Sequence, residues 1–378
     1  MPQTHLLDEI TRAVLERDEV ARLLLGTHGE SAPESKERVH AYLDELRTTQ
    51  RYFLYKALQH PLYPILRKIK RFPEHIEIPK AATASKRVIY VSNHKSHTDY
   101  LIEPLVIDDH GIRPPRIAAG SNLFGGPLGL LHRHITGAIP IRRATKDPIY
   151  LITLKAYVAE LLHRHDLLFY IEGGRSYSGE LKAPKTGLLH AAMQAELPDV
   201  VIVPVAIAYD LVLEDRVLAR QGTKRRQRPF AQELAEMLTL AVGYKSRAFV
   251  TFGEPIPLDG YRHESRRDVL DLAHGIRDAI GRLYKVLPTA LVAAAMGPSL
   301  TRRELEGRID NLLSRLVNAG ANLGVRDAKQ AVEEGVPALH RRGIIHAERS
   351  RIRVRDRGML KYDARTLQHE LPASEDRT

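Results

Sequence analysis

Four short apolar stretches set the tightest limit on how this chain folds: RVIYVSN (87–93), DLLFYIEGG (166–174), DVVIVPVAIAY (199–209) and RAFVTFGEP (247–255). Each is rich in β-branched and aromatic residues and runs into a polar or Gly-containing turn, the pattern of a strand. None alternates apolar with polar residues as a half-exposed strand does, so both faces of each must be covered. Helical patterns lie between them, notably ATKDPIYLITLKAYVAELLHRH (144–165), and others follow over 263–287 and 300–320. Buried strands alternating with helices predict an α/β fold, a central mixed sheet flanked by helices. The expected extents are a helical N-terminal region (1–80), the α/β domain (81–290) and a mainly helical C-terminal extension (291–378).

In the N-terminal region Leu6, Leu7, Ile10, Val14 and Leu15, then Val39, Tyr42, Leu43 and Leu46, recur near helical spacing. Ser31 or Ser35 is placed to start the second helix, and Pro61 to stop it. The next segment, PLYPILRKIKRF, interleaves Leu62, Tyr63, Ile65, Leu66, Ile69 and Phe72 with Arg67, Lys68, Lys70 and Arg71. Two readings fit it: a basic helix lying on an anionic membrane surface, or a packed helix with a solvated basic rim. The first residues meet acidic side chains at once and lack the continuous apolar core of a signal peptide. No stretch approaches the ~18–20 uninterrupted apolar residues that cross a bilayer, so no transmembrane segment is expected.

The chain has no Cys, which excludes disulfides, thiolate catalysis and Cys-ligated zinc or iron–sulfur sites. Its 57 Lys and Arg outweigh 46 Asp and Glu, a formal net charge of +11. Such an excess suits nucleic acid, anionic lipid or a polyanionic small substrate, and composition does not choose among them.

Ligands of α/β sheets gather beyond the carboxyl ends of the strands, where three polar constellations of this chain stand. The first is SNHKSHTDY (92–100). On a regular helix His94 and Asp99 would point about 140° apart. They pair only if His94 sits in the turn before a helix and Asp99 reaches back from its first turns. Asp99 would then fix the imidazole tautomer and leave the other nitrogen as a base for a hydroxyl. Unpaired, these are polar turn and cap residues. His94, His97 and Asp99 are also possible metal ligands, but no second His/Asp cluster completes a site; His132, His134, His163 and His165 stand among Arg residues.

The second constellation is GAIPIRRATKD (137–147), with Arg142 and Arg143. The third is FYIEGGRSYSGELKAPKTG (169–187), a Gly-rich turn with Glu172, Arg175 and Ser176, then Lys182 and Lys185. Arg captures phosphate bidentately and Gly permits close backbone approach. Gly174 and Gly179 have the spacing of a nucleotide-binding P-loop, but Glu180 stands where that loop requires Lys. Singly these clusters read as surface charge. Together, beside a His base, they propose a phosphorylated substrate and either a hydroxyl-activating transferase or a phosphoester hydrolase.

The order of the motifs resembles that of the glycerolipid acyltransferases, most of all the glycerol-3-phosphate/dihydroxyacetone-phosphate branch. HKSHTDY, GAIPIRR, YIEGGRSYSG and IVPVAIAYD stand in sequence like the family's four blocks. RIAAGSNL (116–123) and VTFGEPIPL (250–258) are similar to its intervening and following segments, and MLKYDARTLQHEL (359–371) faintly resembles a later one. The resemblance implies a glycerolipid acyltransferase-type core and transfer of a fatty acyl group from a CoA or acyl carrier protein thioester to glycerol-3-phosphate. That reaction opens phospholipid synthesis and uses no cofactor and no metal.

By the same resemblance His94 takes the proton of the acceptor hydroxyl and Asp99 orients it. Arg143, with Arg142, and Arg175 hold the acceptor phosphate. Glu172, Gly173 and Ser176 shape that pocket, and Pro204 belongs to the fourth block near the acyl site. Lys185 is our added phosphate contact. Two departures bear on the acceptor. Ser92-Asn93 precede His94 and Lys95 follows it, where the branch usually has Pro-Ser and Arg. Asn before His is closer to the lysophosphatidate branch, which in turn prefers Thr where this chain has Gly174. A 1-acylglycerol-3-phosphate acceptor is therefore the alternative. The expected partners are the acyl donor, the glycerol phosphate and an anionic membrane surface met through 62–72. Nucleic acid is not expected, because neither aromatic single-strand platforms nor a DNA-binding motif is present. The expected location is cytoplasmic, peripheral on the inner face of the cell membrane.

Overall fold

A computed structural model describes residues 3–26, 31–51, 53–54, 57, 69–124, 133–134, 136–143, 145–212, 214, 218, 245–348 and 350–371. In chain order, α1 (Gln3–Glu16), α2 (Asp18–Leu24) and α3 (Ala32–Leu46) lead into β1 (Ile69–Glu74), α4 (Glu77–Ser85), β2 (Arg87–Ser92), α5 (Asp99–Asp109) and β3 (Arg116–Gly120). There follow β4 (Ala138–Ile141), α6 (Pro148–Leu162), β5 (Leu167–Tyr170), α7 (Gly187–Met193), β6 (Val200–Tyr209), β7 (Ser246–Phe252) and β8 (Ile256–Pro257). The remainder is α8 (Arg266–Leu283), α9 (Pro288–Ala295), β9 (Ser299–Leu300), α10 (Arg302–Asn318), α11 (Ala328–Arg341), β10 (Ile345–Ala347), β11 (Ile352–Val354) and α12 (Arg357–Arg365).

The main sheet runs β1-β7-β6-β2-β5-β3-β4, with β8 also on β6. From β6 to β4 neighbouring strands are parallel, while β7 lies antiparallel to β6 and parallel to β1. This is the mixed, helix-flanked α/β sheet that the apolar runs predict. All ten residues of β6 are buried, and they alternate between two layers. Val201, Val203, Val205 and Ile207 pack with α5 and the helices after residue 286. Val200, Ile202, Ala206 and Ala208 pack with α1–α3, α6, α7 and α8. Each fully covered Val or Ile contributes about 1.5–3 kcal/mol, so continuous apolar strands are what a sheet between two helical layers requires.

Helix α3 starts at Ser31, whose side chain and that of Glu34 form a reciprocal capping box. It ends at Leu46 rather than at Pro61, because the chain turns extended to bond Arg133 and Thr136: Thr49 N–H donates to the Arg133 carbonyl at 3.0 Å, and Gln50 bridges Thr136. The helix expected over 62–72 is also corrected where it can be followed. Residues 61–68 lie outside the described residues, and 69–72 belong to edge strand β1, paired with Ser246–Phe249. Ile69 is buried and Phe72 stacks on Phe249 at 5.0 Å. Arg71 pairs with Asp109 at 3.1 Å. The apolar–basic alternation there serves a strand. After residue 290 the helices are joined by a small antiparallel sheet, β10-β11-β9. Among the described residues no helix is long and apolar enough to cross a membrane.

Candidate active site

Strands β2, β5 and β6 deliver their polar ends to one edge of the sheet, and the site is built there. His94 lies in the turn after β2, and Asp99 is the first residue of α5. A carboxylate suits this place because helix N-terminal amides point at it. Asp99 Oδ2 accepts from Nδ1 of His94 at 2.9 Å and from the amides of Lys95 at 2.7 Å and Ser96 at 2.9 Å. Its Oδ1 accepts from the Tyr209 hydroxyl at 2.6 Å. With Nδ1–H committed to Asp99, Nε2 keeps its lone pair. The imidazole stacks on Tyr170 at 4.1 Å, with the rings 12° from parallel. Burial pulls the His94 pKa below its usual value, against the opposing pull of the Asp99 hydrogen bond and charge. The imidazole of His94 is thus held in one orientation, with Nε2 as its acceptor nitrogen.

Behind this pair, the Tyr170 hydroxyl donates to Glu103 at 2.9 Å, and Ser92 donates to the other oxygen of the same carboxyl. Burial, with the nearby Asp99 charge, pushes the Glu103 carboxyl well above its usual range. Asn93 joins the turn to β6 by two bonds, giving to the Ile207 carbonyl at 3.0 Å and taking from its amide at 2.8 Å.

The loop after β5 closes over the same turn. Glu172 accepts the His94 amide at 3.0 Å and the Lys182 amide at 3.3 Å. The Ser176 amide donates to the His94 carbonyl at 2.9 Å, and the Ser176 hydroxyl donates to the Glu180 carbonyl at 2.7 Å. Gly173 has a φ of +66°, and a Cβ there would stand 3.0 Å from Cγ of Lys185. A side chain there would strain the backbone and crowd Lys185. Arg143 lies against Gly174, where a Cβ would be 3.5 Å from its Nη1. Arg175 is buried beneath the Tyr177 ring, 5.6 Å from its centroid, and Lys182 approaches the same ring at 5.4 Å. Nζ of Lys182 also donates to the Arg175 carbonyl. Arg143, Arg175, Lys182 and Lys185 thus gather at one loop beside the imidazole.

Of the residues singled out from the sequence, His94, Asp99, Arg143, Glu172, Gly173, Arg175, Ser176 and Lys185 come together here. Arg142 does not join them. Its guanidinium pairs with Glu45 and lies over the rings of Tyr42 and Tyr150, at 4.9 and 5.3 Å, toward the N-terminal helices. Pro204 is buried inside β6 as the register partner of Val91, its carbonyl accepting from Gly253 at 2.8 Å. Sequence reasoning missed Tyr209, Lys95 and Glu214. Tyr209 was legible as the polar end of the longest apolar run. Lys95 is 1% exposed, gives its ammonium to the Gly179 carbonyl at 2.6 Å and lies 4.9 Å from the Tyr284 ring centroid. Nothing in its sequence surroundings marks it as buried.

His94, His97 and Asp99 do not converge as ligands. Among the described residues the His/Asp/Glu group whose donor atoms do converge is Glu196, His263 and Glu264, near the surface.

A family model described as Acyltransferase matches residues 71–208, and one described as Glycerol-3-phosphate acyltransferase C-terminal region matches 236–357. A glycerol-3-phosphate acyltransferase of Aeromonas hydrophila is 34% identical over 247 residues, 62% of this chain and 30% of that protein. One of Haemophilus influenzae is 31% identical over 297 residues, 71% of this chain and 36% of that protein. The chain thus spans about a third of the length of the curated relatives it matches. The crystal structure of the 1-acyl-sn-glycerophosphate acyltransferase of Thermotoga maritima superposes with a TM-score of 0.35 at 15% identity, covering 72% of this chain and 92% of that one. With residues 71–208 matching the Acyltransferase model and 236–357 the Glycerol-3-phosphate acyltransferase C-terminal region, the chain carries in tandem two regions found in glycerol-3-phosphate acyltransferases, to which it is similar.

Proposed function

We propose that the protein transfers a fatty acyl group from an acyl thioester, carried by CoA or acyl carrier protein, to a hydroxyl of glycerol-3-phosphate. The observation that carries this reading is the His94–Asp99 pair at 2.9 Å beside a loop gathering Arg143, Arg175, Lys182 and Lys185. The cations hold the acceptor phosphate, Arg by paired N–H donors and Lys as a point charge. Nε2 of His94 removes the acceptor O–H proton as the oxygen attacks the thioester carbonyl carbon. The carbon–sulfur bond then breaks, and the imidazolium returns its proton to the leaving thiolate. Asp99 stabilises the imidazolium while it exists. No step draws on a cofactor or on an enzyme thiol. The acylated product belongs in a bilayer, and a net charge of +11 favours an anionic one.

The full chain, given glycerol-3-phosphate and an acyl thioester, should release free thiol in proportion to a lipid-soluble product. His94→Ala should lower the rate about 100-fold or more without loss of fold. Retained turnover would exclude the base mechanism. An acceptor panel containing 1-acylglycerol-3-phosphate decides between the two acceptors. Sedimentation with anionic vesicles that fades with added salt checks the membrane contact.

A further inference from the structure

Glu214 is a carboxylate with 1% exposure, and it stands between the two halves of the site. On one side it accepts the Ser96 hydroxyl at 2.9 Å and the His97 amide at 2.6 Å, both from the turn that carries His94. On the other, its Oε1 lies 3.8 Å from Nη1 of Arg175. Ser96 extends the connection, since its own amide donates to Asp99. A single carboxylate therefore ties the base-bearing turn after β2 to an arginine of the loop after β5. Burial pushes the Glu214 carboxyl up to about 7, with the Arg175 charge opposing the rise. Burying a carboxylate is costly, and a core needing only volume would be served by an apolar side chain.

We propose that Glu214 is a positioning residue that sets Arg175 against the His94 turn, so that an anion held by Arg175 presents its hydroxyl to Nε2. The inference rests on the acyl-transfer reading and on Arg175 as a phosphate contact. In this reading Glu214 acts through Arg175. Glutamine in its place still accepts from Ser96 and His97 but no longer fixes the guanidinium by charge. The consequence falls on acceptor binding.

The test is steady-state kinetics of the full chain with glycerol-3-phosphate varied at saturating thioester. Glu214→Gln should raise the acceptor KM at least about fivefold, with a smaller effect on kcat and none on the thioester KM. Glu214→Asp, which keeps the charge, should recover part of that loss. A merely structural role lowers the active fraction, hence kcat, at unchanged KM, and that outcome overturns the proposal. Should Glu214→Gln fail to fold, Ser96→Ala removes one of the two ties and should raise the acceptor KM more modestly; an unchanged KM again overturns it. A second arm separates this inference from the function it rests on. Inorganic phosphate should raise the melting temperature of the wild type more than that of Glu214→Gln, whether or not thiol is released. Equal shifts overturn the positioning role, while unequal shifts without any transfer overturn the proposed reaction alone.

Discussion

Asp99 stands 2.9 Å from Nδ1 of His94 and is at the same time the acceptor for the amides of Lys95 and Ser96 and for the hydroxyl of Tyr209. The carboxylate therefore organises the turn as well as the imidazole. This explains how residues that a regular helix would point apart meet: the helix starts at Asp99, and the preceding turn folds back onto it.

The pair makes a titration prediction. Burial holds the His94 pKa below 6.5, and Asp99 pulls it up. In the free protein the His94 ring signals should titrate below 6.5 by NMR. Asp99→Asn removes the opposing pull, so its midpoint should move lower still, and turnover should fall about 100-fold or more as the tautomer is lost. A midpoint that rises in Asp99→Asn would contradict the arrangement.

Adjacent arginines should behave differently. Arg143→Ala removes a cation at the loop of Gly174 and should raise the acceptor KM about 10- to 100-fold, the loss of a charge-assisted contact. Arg142→Ala removes a partly exposed pairing with Glu45 and a place over two tyrosine rings. It should cost about 1 kcal/mol of stability and leave the acceptor KM alone. Parallel kinetics and thermal melts of the two variants check the split, and a shared KM effect would mean that both reach the acceptor.

How far the sequence carries to this structure depends on what each residue must hide from. Strands β2, β5, β6 and β7 are legible because continuous apolar runs have one stable place, between two helical layers. Strand β1 is not. IKRFPE at a sheet edge needs few apolar residues, and its basic side chains read equally well as a helix rim. Strands β3 and β4 are five and four residues long, too short for a period to declare itself. In the site, His94, Glu172 and Arg175 are legible from order and spacing. Arg142 and Arg143 are indistinguishable by type, yet neighbours at a strand end point to opposite sides. Glu214 and Lys95 are hidden for another reason. Charge predicts exposure, and a buried charge is recognised only once its donors or acceptors have been assembled around it.

Lys95 offers a stability test with a definite sign. Burial pushes its ammonium down to about 8 from the ordinary 10.5. Between those values the unfolded chain holds the proton that the folded chain has released, so stability gains with rising pH. The span corresponds to about 3 kcal/mol. Lys95→Met keeps the length of the side chain but not the titration. Denaturant melts from pH 7.5 to 10 should show the wild type gaining on the variant as pH rises. A constant difference would show that Lys95 keeps an ordinary pKa.

The C-terminal region closes on the site through one glycine. Gly179 has a φ of +88°, and a Cβ there would run into the backbone carbonyl of Tyr362 in α12. Its own carbonyl accepts from Lys95, and the neighbouring Glu180 pairs with Arg365 at 3.1 Å. Gly179→Ala should therefore combine left-handed backbone strain, about 1–2 kcal/mol, with a backbone clash that only displacement of α12 relieves. Gly111 is the matched control: its φ is +73°, with nothing within 4 Å of an added Cβ. Gly111→Ala should show the strain alone. Limited proteolysis should then cut within 357–371 much faster in Gly179→Ala than in Gly111→Ala, with slower acyl transfer as the loop of Arg175 and Lys182 loses its backing. Equal cleavage and equal activity in the two variants would mean that α12 merely covers the sheet and does not brace the site.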